Sequence, residues 1–258
     1  LGHDEAMQAS VGIGISDDHD ALADTVRRWA AAHCPPSVPR ASLDADSEAL
    51  PSFWPDLAHL GWLGIHVPED HGGQGYGLAE LAVVLEELGR VCAPGPFLPT
   101  VAASAVVSRL GGRALHDEVL ADLAQGARVA AVGLGCAPQP LGRDGTLSGS
   151  WEAVLGATQA DVLLLPVTAE AAGSERWVLL DAADVTVTPL VSLDRTRRVG
   201  RVQAERVTAG GHRVIAGAAG PGGVSGLVSL LVAAESVGLA TWCVQTAANH
   251  AVVREQFG

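Results

Sequence analysis

Apolar positions recur every three and four residues through most of the first half of the chain. Ala21, Leu22, Val26 and Trp29 fall on one helical face. Ser16 stands where a cap belongs, and Asp17 and Asp18 fall in the first turn, against the positive end of the helix dipole. Pro35, Pro36 and Pro39 are read as ending that helix. A short helix is expected within 51–60, stopped by Gly61. The next covers 78–91, with Leu81, Val84, Leu85 and Leu88 on one face. Pro94, Pro96 and Pro99 read as a stiff connection to helices over 101–110 and 114–123, which Gly111 and Gly112 separate.

The pattern changes near Arg128. "RVAAVGLG", "TLSGSWEAVLG", "ADVLLLPV", "RWVLLDA", "VTVTPL" and "RVGRVQAERV" are short, rich in Val and Leu, and divided by Gly, Asp and Pro. That spacing predicts a small antiparallel β-domain reaching about Val214. "AGAAGPGG" then reads as a flexible join, and 224–256 as one long helix, apolar on nearly all sides. The expected fold class is α+β. An N-terminal helical domain spans 1–127, a middle β-domain 128–220, and the first long helix of an incomplete C-terminal helical domain 221–258. That last helix has no helical partners after it, so it calls for cover from elsewhere.

One loop interrupts this scheme. Between two helices that look buried, the chain runs through a short apolar stretch, 63–67, and then "PEDHGGQGYG". Gly72, Gly73, Gly75 and Gly77 would permit positive φ and close backbone approach. A sharp structural turn is the plainer reading; direct ligand contact is the sharper one.

Composition narrows the classes. With 258 residues and 48% hydrophobic content, the chain can bury more than one core. A net charge of -13 makes it a poor partner for nucleic acid or an anionic membrane, so an anionic ligand would need a local basic cluster. All 16 basic residues are Arg, as in a GC-rich coding sequence. Cys34, Cys92, Cys136 and Cys243 are far apart in sequence and form no disulfide framework, which suits a reducing cytoplasm. No signal-peptide pattern opens the sequence. Residues 226–244 are nearly long enough to span a bilayer, but Glu235 sits in their midst, so a soluble bundle helix is the preferred reading.

Several motifs fail. Gly133-x-Gly135 has Pro138 at the third glycine position and no helical pattern after it, so a dinucleotide fold is not expected. The nine His are scattered, and no metal site is expected. "GVSGL" lacks nucleophile-elbow spacing, which leaves Ser225 a helix N-terminal residue.

Four stretches together resemble the acyl-CoA dehydrogenase family. "LGWLGIHVPEDHGGQG" is similar to its Leu-Gly-Trp … Val-Pro-Glu-x-x-Gly-Gly-x-Gly segment, and "LEELGR" to the Glu-Glu-x-x-Arg that follows. "SLDRTRRVG" resembles an Asp-x-Thr-Arg, and "AAESVGLATWCVQTAANHAVVREQFG" the long helix with its Arg-x-Gln-Phe-Gly end. The resemblance implies FAD as cofactor and an acyl-CoA substrate. A carboxylate would take the α-proton, and the flavin the β-hydride. It assigns Asp194, Thr196 and Arg197 to the substrate side, with Arg195, Arg198 and Arg201 completing a basic cluster for a CoA ester. It assigns Arg254, Gln256 and Phe257 to the FAD diphosphate and adenine, commonly across a subunit interface.

The departures are as informative. The family's Thr-Glu-Pro-x-x-Gly-Ser-Asp is replaced by "AVGLGCAPQPLGRDG", and its flavin-contacting Trp and Thr fall on Ala153 and Leu155, with Trp151 two positions early. Where some members carry a carboxylate base, this chain has Thr196, and Glu235 is not promoted to that role. No catalytic base is assigned to this segment. The implied protein is a subunit, or half of a fused chain, of a heteromeric acyl-CoA dehydrogenase of the steroid side-chain-degrading type. Its partners would be a second such subunit or the rest of the same polypeptide, and an electron-transfer acceptor. The alternatives are a homomeric member lacking its last helices and a non-catalytic scaffold or acyl-CoA-binding descendant.

Overall fold

The computed structural model describes residues 16–169, 175–217 and 222–256. Six helices come first: α1 (Asp17–His33), α2 (Ser37–Asp44), α3 (Trp54–His59), α4 (Leu78–Arg90), α5 (Phe97–Leu110) and α6 (Arg113–Ala124). Eight strands follow: β1 (Ala130–Val132), β2 (Gln139–Leu141), β3 (Thr146–Leu155), β4 (Val162–Ala169), β5 (Glu175–Asp181), β6 (Thr186–Pro189), β7 (Val199–Thr208) and β8 (Val214–Ala216). The last described helix is α7 (Val224–Val253).

Ser16 caps α1 as its position suggested, accepting from the His19 amide at 3.4 Å. Two expectations built on proline fail for one reason. Pro39 does not close the helical region but sits in α2, and Pro99 does not belong to a connection but sits in α5. Each is the third residue of its helix, where the missing N–H has no intrahelical acceptor to lose.

The sheet is mixed rather than antiparallel. Its order is β6-β7-β3-β1-β4-β5-β8, with β2 pairing β3 and β4. β4 runs parallel to both β1 and β2, while its pairing with β5 and the β3–β7 pairing are antiparallel. Alternate residues serve two cores. Val162, Leu164, Trp177 and Leu179 join the helical core, whereas Leu163, Leu165, Val178 and Leu180 join a second core with Trp151 on the opposite face. This is why β4 reads as an unbroken apolar run.

The loop that interrupted the helical pattern is a structural turn. Gln74, Gly75 and Tyr76 donate their amides to the carbonyls of Gly64, Val67 and Ile65, folding the turn back on the apolar run. Gly72 and Gly75 have φ of 79° and 71°, and a Cβ at Gly73 would lie 2.0 Å from the Val67 carbonyl oxygen. Gly77 needs no such freedom and stands ahead of α4, its amide donating to Glu80 at 2.8 Å.

α7 is 30 residues long and apolar enough by composition to span a bilayer, with a mean hydropathy of 1.8 over its most apolar window. Its first half packs against α4 and α5. The α4–α7 crossing is set by two glycines. A Cβ at Gly89 would meet the Glu235 carbonyl oxygen at 2.2 Å, and one at Gly238 would meet that of Glu86 at 1.8 Å. Glu235 is held in a largely buried ion pair with Arg197, so the first half of α7 is fixed against the protein core.

Candidate cofactor and acyl-ligand site

The loop between β6 and β7 carries Asp194, Thr196 and Arg197 to the α4–α7 crossing. There they line a cavity of about 470 Å³ with Gly89, Cys92 and Glu235. Asp194 Oδ1 accepts from the Thr196 amide at 2.9 Å and the Thr196 hydroxyl at 2.6 Å, so the loop is held by its own side chains. The Thr196 carbonyl accepts from the Gly95 amide at 3.0 Å. Arg197 pairs with Glu235 of α7 and, at 3.5 Å, with Asp194. Burial pulls the Arg197 guanidinium down, but Glu235 and Asp194 more than offset it and hold its pKa above the ordinary arginine value.

These contacts change the reading of the arginines. Each of Arg195, Arg197, Arg198 and Arg201, expected as a basic cluster, has a partner within the chain, and Arg195 and Arg198 line one further cavity with Thr196. Arg195 donates to the Ala45 carbonyl at 3.0 Å, and Arg198 to the carbonyls of Ala45 and Asp46. Arg201 pairs with Glu152 at 2.6 Å. Each guanidinium is engaged within the chain, because an arginine near carbonyls or a carboxylate satisfies its fork locally. Asp194, Thr196 and Arg197 are therefore brought together as a latch between the loop and α7, open to a cavity on one side. Glu235 was legible only as a carboxylate stranded in an apolar helix. Its need for a cation was readable; its choice of Arg197, 38 residues away, was not.

Thr196 offers no base, its hydroxyl being donated to Asp194, and Glu235 is tied to Arg197. The strands that would face a flavin ring offer little more. Trp151 is fully buried, and its indole N–H donates to the Pro166 carbonyl at 2.9 Å. The β3–β7 register slips between Trp151 and Val154, leaving Ala153 exposed with a φ of 56°. Trp151, paired with Val202 of β7, places its ring in the second core. Ala153 and Leu155 present no side-chain donor or acceptor. Gly133 opens a turn closed by the Cys136 amide at 3.2 Å, with no helix after it. Burial pushes the Cys136 thiol up to about 11.

At the other end of α7, Arg254 is the C-cap residue and is exposed, with its nearest polar partner, His250 Nε2, at 3.5 Å. Gln256 is exposed, and Phe257 lies outside the described residues. Arg254 lies nineteen positions after Glu235, about 28 Å along the helix axis. The two groups of predicted site residues thus stand at separate places on this chain. A buried pair outside both was missed. His66 Nε2 lies 3.0 Å from the Ser104 hydroxyl, and desolvation lowers His66 to about 4. Among the described residues no group of three or more His, Cys, Asp or Glu could hold a metal ion.

Comparison with known proteins agrees with this architecture. Residues 16–127 match the acyl-CoA dehydrogenase N-terminal domain. Over 95% of its length the chain is 30% identical to acyl-CoA dehydrogenase FadE34 of Mycobacterium tuberculosis, spanning 33% of that protein. It is 29% identical to acyl-CoA dehydrogenase IpdE2 of Mycolicibacterium smegmatis, of which it spans 68%. Among solved structures, a variant of the Tcur3481-Tcur3483 steroid ACAD superposes with a TM-score of 0.82 at 28% identity, covering 93% of this chain and 68% of that one. The ChsE4-ChsE5 complex from Mycobacterium tuberculosis gives 0.80 at 25% identity, covering 95% and 69%. Residues 16–127 are an acyl-CoA dehydrogenase N-terminal domain, and the chain as a whole has the acyl-CoA dehydrogenase fold.

Proposed function

We propose that this chain is one subunit, or one half of a fused polypeptide, of a heteromeric FAD-dependent acyl-CoA dehydrogenase acting on a bulky, steroid-type acyl-CoA ester in the cytoplasm. It would complete a site whose flavin-facing wall and base come from elsewhere. The observation that carries this reading is the contrast between the two places where a flavin would be met. At the sheet, Ala153 and Leu155 supply no hydrogen-bonding group and Trp151 has spent its N–H. Isoalloxazine polar atoms buried there would go unpaired, at roughly 1–3 kcal/mol each. At the end of α7, Arg254 is exposed and pairs with no carboxylate among the described residues. Its planar fork suits a diphosphate.

The ring-facing residues of this chain therefore do not fit the isoalloxazine of FAD. FAD, when bound, supplies the acceptor for a β-hydride. Arg254, Gln256 and Phe257 would hold its diphosphate and adenine, next to another chain's flavin wall. The steroid-type substrate is supported by the names of the similar proteins, two of which are described as a steroid ACAD and a two-component complex. The partial span of FadE34 fits a half within a longer polypeptide. The four cysteines are free, as a reducing compartment would keep them.

The test is flavin stoichiometry by visible absorbance, with the chain purified alone and with its partner subunit. The expected result is no flavin alone and about one FAD per pair, lost on Arg254→Ala. One FAD on the chain alone would overturn the shared site. No FAD even in a stable pair would make the chain a scaffold.

A further inference from the structure

A second cavity, of about 370 Å³, lies where the end of α1, α2, the end of α4 and α7 meet. Its volume is at the small end of the range of about 300–1,000 Å³ that ligand pockets occupy. Pro36, Pro39, Leu43, Val91 and Trp242 give it apolar walls, and Trp242 and Leu43 remain 49% and 44% exposed. In a chain with 29 carboxylates and 16 arginines, none of its lining residues is an Asp or Glu, and two are arginines. The titratable groups facing it otherwise are the thiols of Cys34 and Cys92, both held neutral by burial, Cys34 being pushed up to about 11.

The two arginines differ. Arg90 is committed, pairing with Glu87 at 3.2 Å and donating to Gln245 at 2.8 Å. Arg40, one turn into α2, is exposed and forms no ion pair among the described residues. An apolar recess with one uncommitted guanidinium at its rim and no opposing carboxylate has a definite complement. We infer that this cavity binds a small amphipathic anion, its apolar body against Trp242 and Pro39 and its single anionic head on Arg40. Neither Arg254 nor the β3 strand contributes to this cavity, which shares Cys92 and Thr196 with the cavity at the α4–α7 crossing and Trp242 with the exposed half of α7.

The full chain would be titrated calorimetrically with decanoate, decan-1-ol and decylamine. One decanoate per chain is expected, bound at least tenfold tighter than decanol, with decylamine weakest. Arg40→Ala, a surface change that leaves the fold intact, should weaken decanoate about tenfold and leave decanol unaltered; Trp242→Ala should weaken both. Saturating decanoate should slow alkylation of Cys92 severalfold, read by mass spectrometry, and leave that of Cys136 unchanged. Equal affinity for decanol, indifference to Arg40→Ala, absence of saturable binding, or unprotected Cys92 would each overturn the inference.

Discussion

The two halves of α7 have similar apolar composition and different surroundings. In the first half, Val224, Leu227, Val228, Leu231 and Gly238 are buried against α4 and α5. In the second, Leu239, Trp242, Val244, Val252 and Val253 are 42%, 49%, 69%, 85% and 75% exposed. The number of apolar residues does not distinguish them. The first half is fixed by features the second lacks: a two-glycine backbone crossing and the Arg197–Glu235 pair. The second has one cross-helix contact of that kind, between Arg90 and Gln245. An apolar helical segment exposed on all sides and ending in an exposed arginine is the form of a surface that meets another body. The function proposed above places a partner chain and its flavin there.

The comparison can be broken from the packed side first. Replacing Glu235 by Ala strands the Arg197 guanidinium beside Asp194 alone; both partners of the pair are largely buried, at 19% and 14% exposure. A loss of about 3 kcal/mol in chemical denaturation is expected, the low end for breaking a buried pair. Next is Gly238→Ala, whose new methyl would overlap the Glu86 carbonyl; about 2 kcal/mol is expected from overpacking, read by the same denaturation midpoint.

A third test uses His66, on the packed side beneath α5. Its pKa is lowered by burial from 6.5 to about 4, so the unfolded chain binds a proton at pH values where the folded chain does not. Stability from this group is complete above pH 6.5 and falls as pH drops toward 4, with a slope approaching about 1.4 kcal/mol per pH unit. His66→Gln should flatten that slope between pH 4 and 6.5 relative to the parent chain. The smallest effect belongs to the open half. Val244→Ser should change the stability of the isolated chain by less than about 0.5 kcal/mol, yet weaken association with the partner subunit in sedimentation experiments.

Much of the fold was legible because local signals and burial agree. The Ser16 cap, the Gly61 stop and the α4 periodicity all carry their information within a few residues. Pro39 and Pro99 were misread because a proline's meaning depends on its place in a helix, and nothing nearby marked them as first-turn residues. The parallel pairing of β1 and β2 with β4 was illegible for another reason: strand direction is set by which segments meet, and both faces of β4 are apolar. The site was legible in part. Sequence order brought Asp194, Thr196 and Arg197 to one loop, but the partners that commit Arg195, Arg197, Arg198 and Arg201 come from 38 to 153 residues away. Trp151 shows the limit most sharply. Regular pairing with Val202 already puts the Trp151 indole in the sheet's second core, and the bulge beside Ala153 brings Val154 to the same face.

Amide hydrogen exchange along α7 tests the central contrast most directly, because local opening reports how much packing each turn receives. The account predicts slow exchange over 228–240 and fast exchange over 243–253 in the isolated chain, with the second segment becoming protected when the partner subunit and FAD are added. Uniformly slow exchange along the whole helix in the isolated chain would contradict it, since the far half would then be packed without any partner.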